Sequence, residues 1–346
     1  MAVTLKMISE RIGLSQAAVS QILNRKPNDL SSEETKKRVF AIAEELGYKQ
    51  KFGHKLLRGD STGTVALLID MKQLTNEEHI QRLIIKLLTD LEQSGRSSYL
   101  SFLGHDEKKN LEAIGDLAAR GADSFIVIGS ATGEKAIEEE FLKLKKNFVG
   151  FGTELSRDVT VSCEQSVNAV LDFFASEGKT NIKFLLLENF YSSARFKAFR
   201  KYFPQLSESE VVERFCVAMP RTVVSTDTMA QIGYETTEFI FQKDPTVSAL
   251  FYLSDYFAVG GLNFLLKSGR IPGKDVLVAG YNNIHAVRTC FFPVSTAEHP
   301  IDESAESMLA ILNQNNPCKK IIYSKAIIRK ESSFRQENAF HGHILQ

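Results

Sequence analysis

The chain has 346 residues, 43% of them hydrophobic, enough for two or three domains with ordinary soluble cores. It holds no apolar run long enough to cross a bilayer, and MAVTLKMISERIG lacks the basic-then-apolar pattern of a signal peptide. A membrane protein is thereby excluded and a cytoplasmic location expected. The formal net charge of zero is unevenly spread: residues 1 to 58 carry 11 Lys and Arg against 6 Asp and Glu, a basic end on an acidic body. That is the footprint of a small nucleic-acid-binding module, unless the asymmetry is chance.

Three short helices are predicted in residues 1 to 47. Thr4 N-caps the first, which runs to about Ile12; Gly13 allows a turn; Ser15 caps the second, through Asn24. Ser31 to Glu34 offers a capping box for the third, where Val39, Ile42, Ala43 and Leu46 recur at helical spacing before Gly47 as C′ residue. In the second helix, SQAAVSQILN, an arc of Val19, Ile22 and Leu23 opposes an uncharged one of Gln16, Ala17, Ser20, Gln21 and Asn24. The short Gly13-Leu14 turn has the length of a helix-turn-helix, whose second helix enters the major groove. A small bundle with a merely solvated polar face fits the same pattern. Residues 48 to 62, YKQKFGHKLLRGDST, read as a basic linker with room for one short helix.

From Thr64 the texture changes to alternating strands and helices. Strands are predicted at 64 to 69, 98 to 103, 124 to 129, 147 to 151, 182 to 187, 248 to 253 and 275 to 280. Amphipathic helices are predicted at 77 to 93, 107 to 120, 133 to 146, 165 to 177, 228 to 242 and 255 to 268. This rhythm implies βαβ units, and its length, about 270 residues, favours two doubly wound parallel-sheet lobes with a cleft between them. The tail, 333 to 346, is polar. Cys163, Cys216, Cys290 and Cys318 form no CxxC pair and read as reduced, mostly buried packing residues, so no metal site and no cofactor are expected.

The run VTLKMISERIGLSQAAVSQILNRKPNDLSSEETKKRVFAIAEELGY resembles, without a gap in the helix-turn-helix, the DNA-binding headpiece of LacI/GalR transcription regulators. The resemblance implies a helix-turn-helix domain over 1 to 47, a hinge over 48 to 62 and a two-lobed, periplasmic-binding-protein-like effector and dimerisation body over 63 to 332. It places Ser15, Ser20 and Asn24 against phosphates, Gln16, Ala17 and Gln21 against base edges, and Thr4 among the DNA-facing positions. Where the family usually has Arg this chain has Gln21, which pairs best with adenine N6 and N7, so an A·T pair is expected where relatives read G·C. Isoleucine and Ser9 replace part of the family's first-helix pattern, a change expected to affect packing. In the hinge, Leu57 stands at the leucine that enters the minor groove, with Lys51 and Arg58 as phosphate contacts. Gln50, Gly53 and His54 depart from the pattern, and Gly costs a helix about 1 kcal/mol relative to Ala, so weaker hinge ordering or a plain tether is also compatible.

The body carries the resemblance further. SSARFKAFRKYF places Arg195 at the effector arginine, with Ala198 for the usual glycine, and ALFYLSDYFAVGGLNFLLKSGRIPGKDVLVAGYNN places Asp255 and puts Asn282 where Asp is common. Arg offers a rigid fork of donors and Asp accepts from paired hydroxyls, the chemistry of polyol recognition. Asp255 also suits a helix N-cap. Replacing Asp by Asn282 suits a sugar with a different hydroxyl pattern or an anionic ligand. In DMKQLTNEEH, Asn76 is followed by Glu77, Glu78 and His79 where an aromatic usually stacks on the sugar; Phe190 and Tyr191 are candidate substitutes.

The expected protein is therefore a homodimeric repressor binding a roughly palindromic double-stranded DNA operator, switched by a carbohydrate-like effector at Asn76, Tyr191, Arg195, Asp255 and Asn282, with no membrane partner. A cytosolic sugar-binding protein or an α/β enzyme is the alternative. Against an enzyme, no GxGxxG follows the first strand, GSATGEK fails P-loop spacing and no GxSxG exists. His341 and His343 in the tail read as bland rather than metal-binding.

Overall fold

The computed structural model describes residues 3–23, 29–48, 56, 60–71, 74, 77–188, 191, 193–220, 225–314 and 316–330. The chain forms two compact units, Met1–Thr62 and Gly63–Gln346. Lys51, Leu57 and Arg58 of the expected hinge lie outside the described residues, as do Asn24, Asn76, Phe190 and the tail with its two histidines.

The first unit holds α1 (Leu5–Ile12), α2 (Gln16–Leu23) and α3 (Glu33–Glu45). Thr4 Oγ1 accepts from the Met7 N–H at 3.4 Å, Gly13 turns the chain at φ +73°, and Ser15 Oγ accepts from the Ala18 N–H at 3.1 Å. Ile8, Val19, Ile22, Val39 and Ala43 meet in the centre, so each helix contributes to one small core. Ser9 is buried there and donates back to the Lys6 carbonyl at 2.8 Å, which satisfies a polar group in an apolar place. The cap of α3 corrects the expectation by one residue. Ser32, not Ser31, is the N-cap and accepts from Thr35 N–H at 3.2 Å, while the Ser31 N–H that Glu34 would have held in a capping box is taken by Asp29 Oδ1 at 3.0 Å. With Ser32 as cap the N3 residue is Thr35, so Glu34 closes no capping box.

The second unit builds two six-stranded sheets. In chain order the elements are β1 (Thr64–Asp70), α4 (Glu78–Gln93), β2 (Ser97–Leu103), α5 (Glu107–Ala119), β3 (Ala122–Ile128), α6 (Glu134–Lys143), β4 (Asn147–Phe151), β5 (Arg157–Ser162) and α7 (Glu164–Ser176). Next come β6 (Ile182–Leu187), α8 (Ala194–Lys201), α9 (Glu208–Phe215), β7 (Cys216–Met219), α10 (Thr226–Lys243), β8 (Ala249–Tyr252), α11 (Asp255–Lys267) and β9 (Leu277–Tyr281). The chain ends with α12 (His285–Arg288), β10 (Ser295–Glu298), α13 (Ile301–Leu312), β11 (Cys318–Tyr323) and β12 (Lys325–Ile327). The sheet orders are β11-β5-β4-β3-β1-β2 and β12-β10-β9-β8-β6-β7, parallel throughout except for β12, which runs antiparallel to β10.

Both faces of the first sheet are covered. Val65, Leu67 and Ile69 face Leu83, Leu87 and Met308, while Ala66 and Leu68 belong with Ile114, Ile137 and Phe141 on the other side. The second sheet is buried in a Phe-rich core that includes Phe174, Phe184, Phe199 and Phe251. The lobes are not contiguous in sequence. The chain passes from β5 to α7, from β10 to α13 and from β11 to β12, so three strands of backbone link them. Of the cysteines only Cys163 is fully buried; the other three are half-buried and all are free thiols. The expectation that most were buried was too strong, because Cys216 and Cys318 begin edge strands and Cys290 lies in the loop after α12.

Helices α10 and α11 pack with almost no space between their backbones. A Cβ on Gly260 would stand 1.7 Å from the Ala230 carbonyl oxygen, and one on Gly233 would stand 2.0 Å from that of Phe257. Backbone cannot yield as a flexible side chain does. Gly260→Ala is expected to lower stability by roughly 3 kcal/mol, the upper part of the usual overpacking range, as read by chemical denaturation. An unchanged midpoint would mean that the helices are not so closely packed.

Candidate functional site

On α2, Gln16, Ala17 and Gln21 are exposed and Ser20 is half-buried, while Val19 and Ile22 are turned into the core. The uncharged arc is thus accessible along its described length. Thr4 and Ser15 are exposed as well, each with its side-chain oxygen capping a helix.

The body brings a second set of residues together at the seam between its lobes. From the first lobe comes the start of α4: Glu77 at the N-cap, then Glu78, His79 and Arg82. From the second lobe comes the turn after β9, where Asn282 and Asn283 take positive φ values of 102° and 48°. Asn tolerates that region better than most residues, because its short polar chain can bond locally. Asn282 Nδ2 donates to Glu77 Oε2 at 2.8 Å. Glu78 accepts from the His285 N–H at 2.8 Å and from Arg288 Nη2 at 3.1 Å. Glu298 Oε1 accepts from Arg82 Nη2 at 3.2 Å and Asn283 Nδ2 at 3.0 Å. Three glutamates therefore carry polar contacts across the seam.

Arg195, on α8, sits at the centre. Its Nη1 donates to the Leu253 carbonyl at 2.6 Å, its Nη2 to Asn282 Oδ1 at 3.2 Å, and its guanidinium lies 4.0 Å over the Tyr281 ring. Burial disfavours the Glu77 anion. His79, whose Nδ1 lies 3.3 Å from Glu77 Oε2, outweighs that cost together with Arg195 and the Asn282 amide, and the carboxyl stays below the ordinary glutamate range. His79 in turn stacks on His299 at 3.9 Å, and burial holds His299 well below the usual histidine range.

Asp255 takes a different place. It is fully buried at the start of α11, one residue inside the Ser254 N-cap, and its side chain does not cap that helix. Its Oδ2 accepts from the Ile284 N–H at 3.0 Å, and the Thr296 hydroxyl donates to the same carboxylate at 2.9 Å. Asp255 thus pins the turn that carries Asn282. Tyr191 is half-buried, its ring edge-on to Phe196 at 5.2 Å. Of the five expected effector residues, the structure brings Arg195 and Asn282 into direct contact and joins Asp255 to their turn. Reading the sequence missed Arg82, Arg288, Asn283 and Glu298, and took Glu77 and Glu78 only as a lost aromatic. The available signal was an acidic pair at one helix start, matched by an Asn pair and an arginine after β9.

The model of a family described as a periplasmic binding protein-like domain matches residues 171–329. The chain is 21% identical to an HTH-type transcriptional regulator of Lachnoclostridium phytofermentans, over 94% of this chain and 98% of that protein. It is 24% identical to the HTH-type transcriptional regulator GalR of Streptococcus thermophilus, over 90% and 92% of the two chains. Among solved structures, the Lac repressor dimer bound to operator and the anti-inducer ONPF shares the fold at a TM-score of 0.71 and 17% identity, covering 97% of this chain and 100% of that one. The complex of the transcriptional regulator CelR with cellobiose does so at 0.62 and 18%, covering 95% and 100%. Fold and relatives together define a class, that of transcription regulators with a periplasmic-binding-protein-like body. Within it, the chain is similar over most of its length to curated regulators that include GalR, and it shares the fold of the Lac repressor.

Burial raises the Asp255 carboxyl from 3.8 to about 7, against the opposing pull of Ile284, Thr296 and the arginines Arg329 and Arg195. A carboxyl raised on folding favours the folded state when protonated, and that advantage is lost as pH rises from the unfolded value through the folded one. The melting temperature of the protein is therefore expected to fall relative to that of Asp255→Asn between pH 4 and pH 7. Parallel melting curves for the two proteins over that window would contradict this.

Proposed function

We propose that the chain is a sequence-specific DNA-binding transcription repressor whose affinity for its operator is set by a small molecule, carbohydrate-like in its recognition, held at the seam between the lobes. The observation that carries the DNA-reading half is the exposure of Gln16, Ala17 and Gln21 on one helix whose opposite face is core. Thr4, Ser15 and Ser20, with Asn24, Lys51, Leu57 and Arg58, complete the proposed DNA-contacting set; the phosphate contacts would confer a steep salt dependence. The effector half rests on Arg195 and Asn282 meeting where the lobes meet, with Asn76, Tyr191 and Asp255 as the further proposed contacts. Two structural relatives are described with a ligand, one of them also with operator DNA, which supports both halves.

A pair of chains is proposed to read two half-sites, since two-fold protein symmetry is matched by two-fold DNA symmetry. Exposed Leu100 and Phe102 on the edge strand β2, with Ile85 on α4, supply apolar surface that such a pair would cover.

Selection of the full chain against random duplexes is expected to return a pseudo-palindrome with an A·T pair opposite Gln21. Gln21→Ala should lose about 1–3 kcal/mol of discrimination at that pair and little elsewhere. An invariant guanine there, lost on the same substitution, would overturn the base assignment, and failure to shift any DNA at low salt would overturn the DNA reading. For the effector, a thermal-shift panel of sugars, sugar acids, sugar phosphates and nucleosides should raise the melting temperature with at least one class, and Arg195→Ala should abolish that response. A flat response across the panel would count against a small-molecule switch.

A further inference from the structure

The seat that Arg195 and Asn282 make is already filled, and by the chain itself. We infer that these two residues form a carboxylate-binding seat, occupied from across the seam by Glu77, and that the effector is a small organic carboxylate that takes the seat over from Glu77. This deepens the effector reading above and rests on it.

The donor set is the first support. Arg195 spends Nη1 on Leu253 and Nη2 on Asn282 Oδ1, and its ring-facing side on Tyr281, so it is held rigidly as a fixed positive charge. That bond turns the carbonyl oxygen of the Asn282 amide toward the guanidinium, occupying one of its two lone pairs. The amide's NH2 group donates to Glu77 Oε2 at 2.8 Å. The pair therefore faces Glu77 with positive charge and an N–H donor, which suits a carboxylate. An aspartate at 282, the residue common in the family's pattern, would have added negative charge and removed the donor. Asn282 makes the seat anion-selective.

The nature of the occupant is the second support. Arg195 in a partly dry seam requires a compensating anion. A neutral polyol brings none, and in the place of Glu77 it would forfeit the charge attraction that Glu77 has with His79 beside it and with Arg195 beyond. A cation would meet Arg195 directly. Only another anion exchanges like for like. Glu77 is also the replaceable partner, since 30% of its side chain is exposed. The exchange need not part the lobes: Glu78 keeps its bonds to His285 and Arg288, and Glu298 its bond to Arg82.

The test uses the full chain and acetate as a minimal carboxylate. In Glu77→Ala the seat is vacated while Arg195 and Asn282 remain. Acetate, titrated at constant ionic strength, is expected to raise the melting temperature of Glu77→Ala saturably by several degrees. Acetamide, the neutral isostere, should do nothing, and the double variant Glu77→Ala/Arg195→Ala should not respond. Wild type should need much more acetate for any effect. If Glu77→Ala does not fold, Glu77→Gln leaves a neutral occupant and should respond at lower acetate than wild type. Equal action of acetate and acetamide, no response in any Glu77 variant, a response that survives loss of Arg195, or tighter binding of inorganic phosphate than of acetate would each overturn the inference. A neutral sugar that gives an Arg195-dependent shift while acetate fails would leave the effector reading standing without this one.

Discussion

Three backbone crossings between the lobes govern the body: between β5 and α7, between β10 and α13, and between β11 and β12. Each sheet completes itself with a strand supplied after the chain has already built the other, so neither lobe is a simple sequential domain. The links confine relative movement to a bend or twist about three short segments. Two of them are tied directly: Ser166, just beyond the first crossing, meets the buried Ser324 of the third at 2.6 Å between hydroxyl oxygens. Conformational change in such a body is hinge-like, because packed sheets do not deform continuously.

The seam is polar for a physical reason. A charge leaving water needs a partner, and each seam carboxylate has one: Glu77 has Asn282, Glu78 has Arg288, and Glu298 has Arg82. These bonds are made between lobes, so anything that competes for them shifts the balance of lobe arrangements by the difference in its affinity for each. Asp255 acts one step back. Its two oxygens hold Ile284 and Thr296, which sets the turn that presents Asn282. It orients the seam from beneath and is itself sealed from solvent.

Much of the fold was legible because hydrophobic period and turn chemistry agree locally. Asn147–Phe151 and Ile182–Leu187 fall where the apolar runs lie, and Thr4, Gly13 and Ser15 punctuate α1 and α2 as their chemistry dictates. The strands that escaped have apolar runs that are short or interrupted, as in Cys216–Met219 and Arg157–Ser162. Cys318–Tyr323 is an edge strand with most positions exposed, and Ser295–Glu298 has only four residues. The helix Ile301–Leu312 begins with IDES and mixes small polar residues into its buried face, Ser304 and Ser307 among them, which blunts its period. The resemblance singled out Arg195 and Asn282 but could not show that Glu77 meets Asn282, since residues 77 and 282 are brought together only by tertiary folding. A motif read along one chain segment carries no information on what the opposite lobe contributes.

Function in this account depends on coupling: the seam must sense and the helical unit must respond. The most direct test is fluorescence anisotropy of a duplex selected by the full chain, titrated with wild type and with Glu78→Ala, which cuts two seam bonds without touching any DNA-facing residue. The account predicts a change in DNA affinity of about fivefold or more, corresponding to the 1–3 kcal/mol typical of coupled sites. Identical affinities, in two proteins equally folded and equally dimeric, would contradict it.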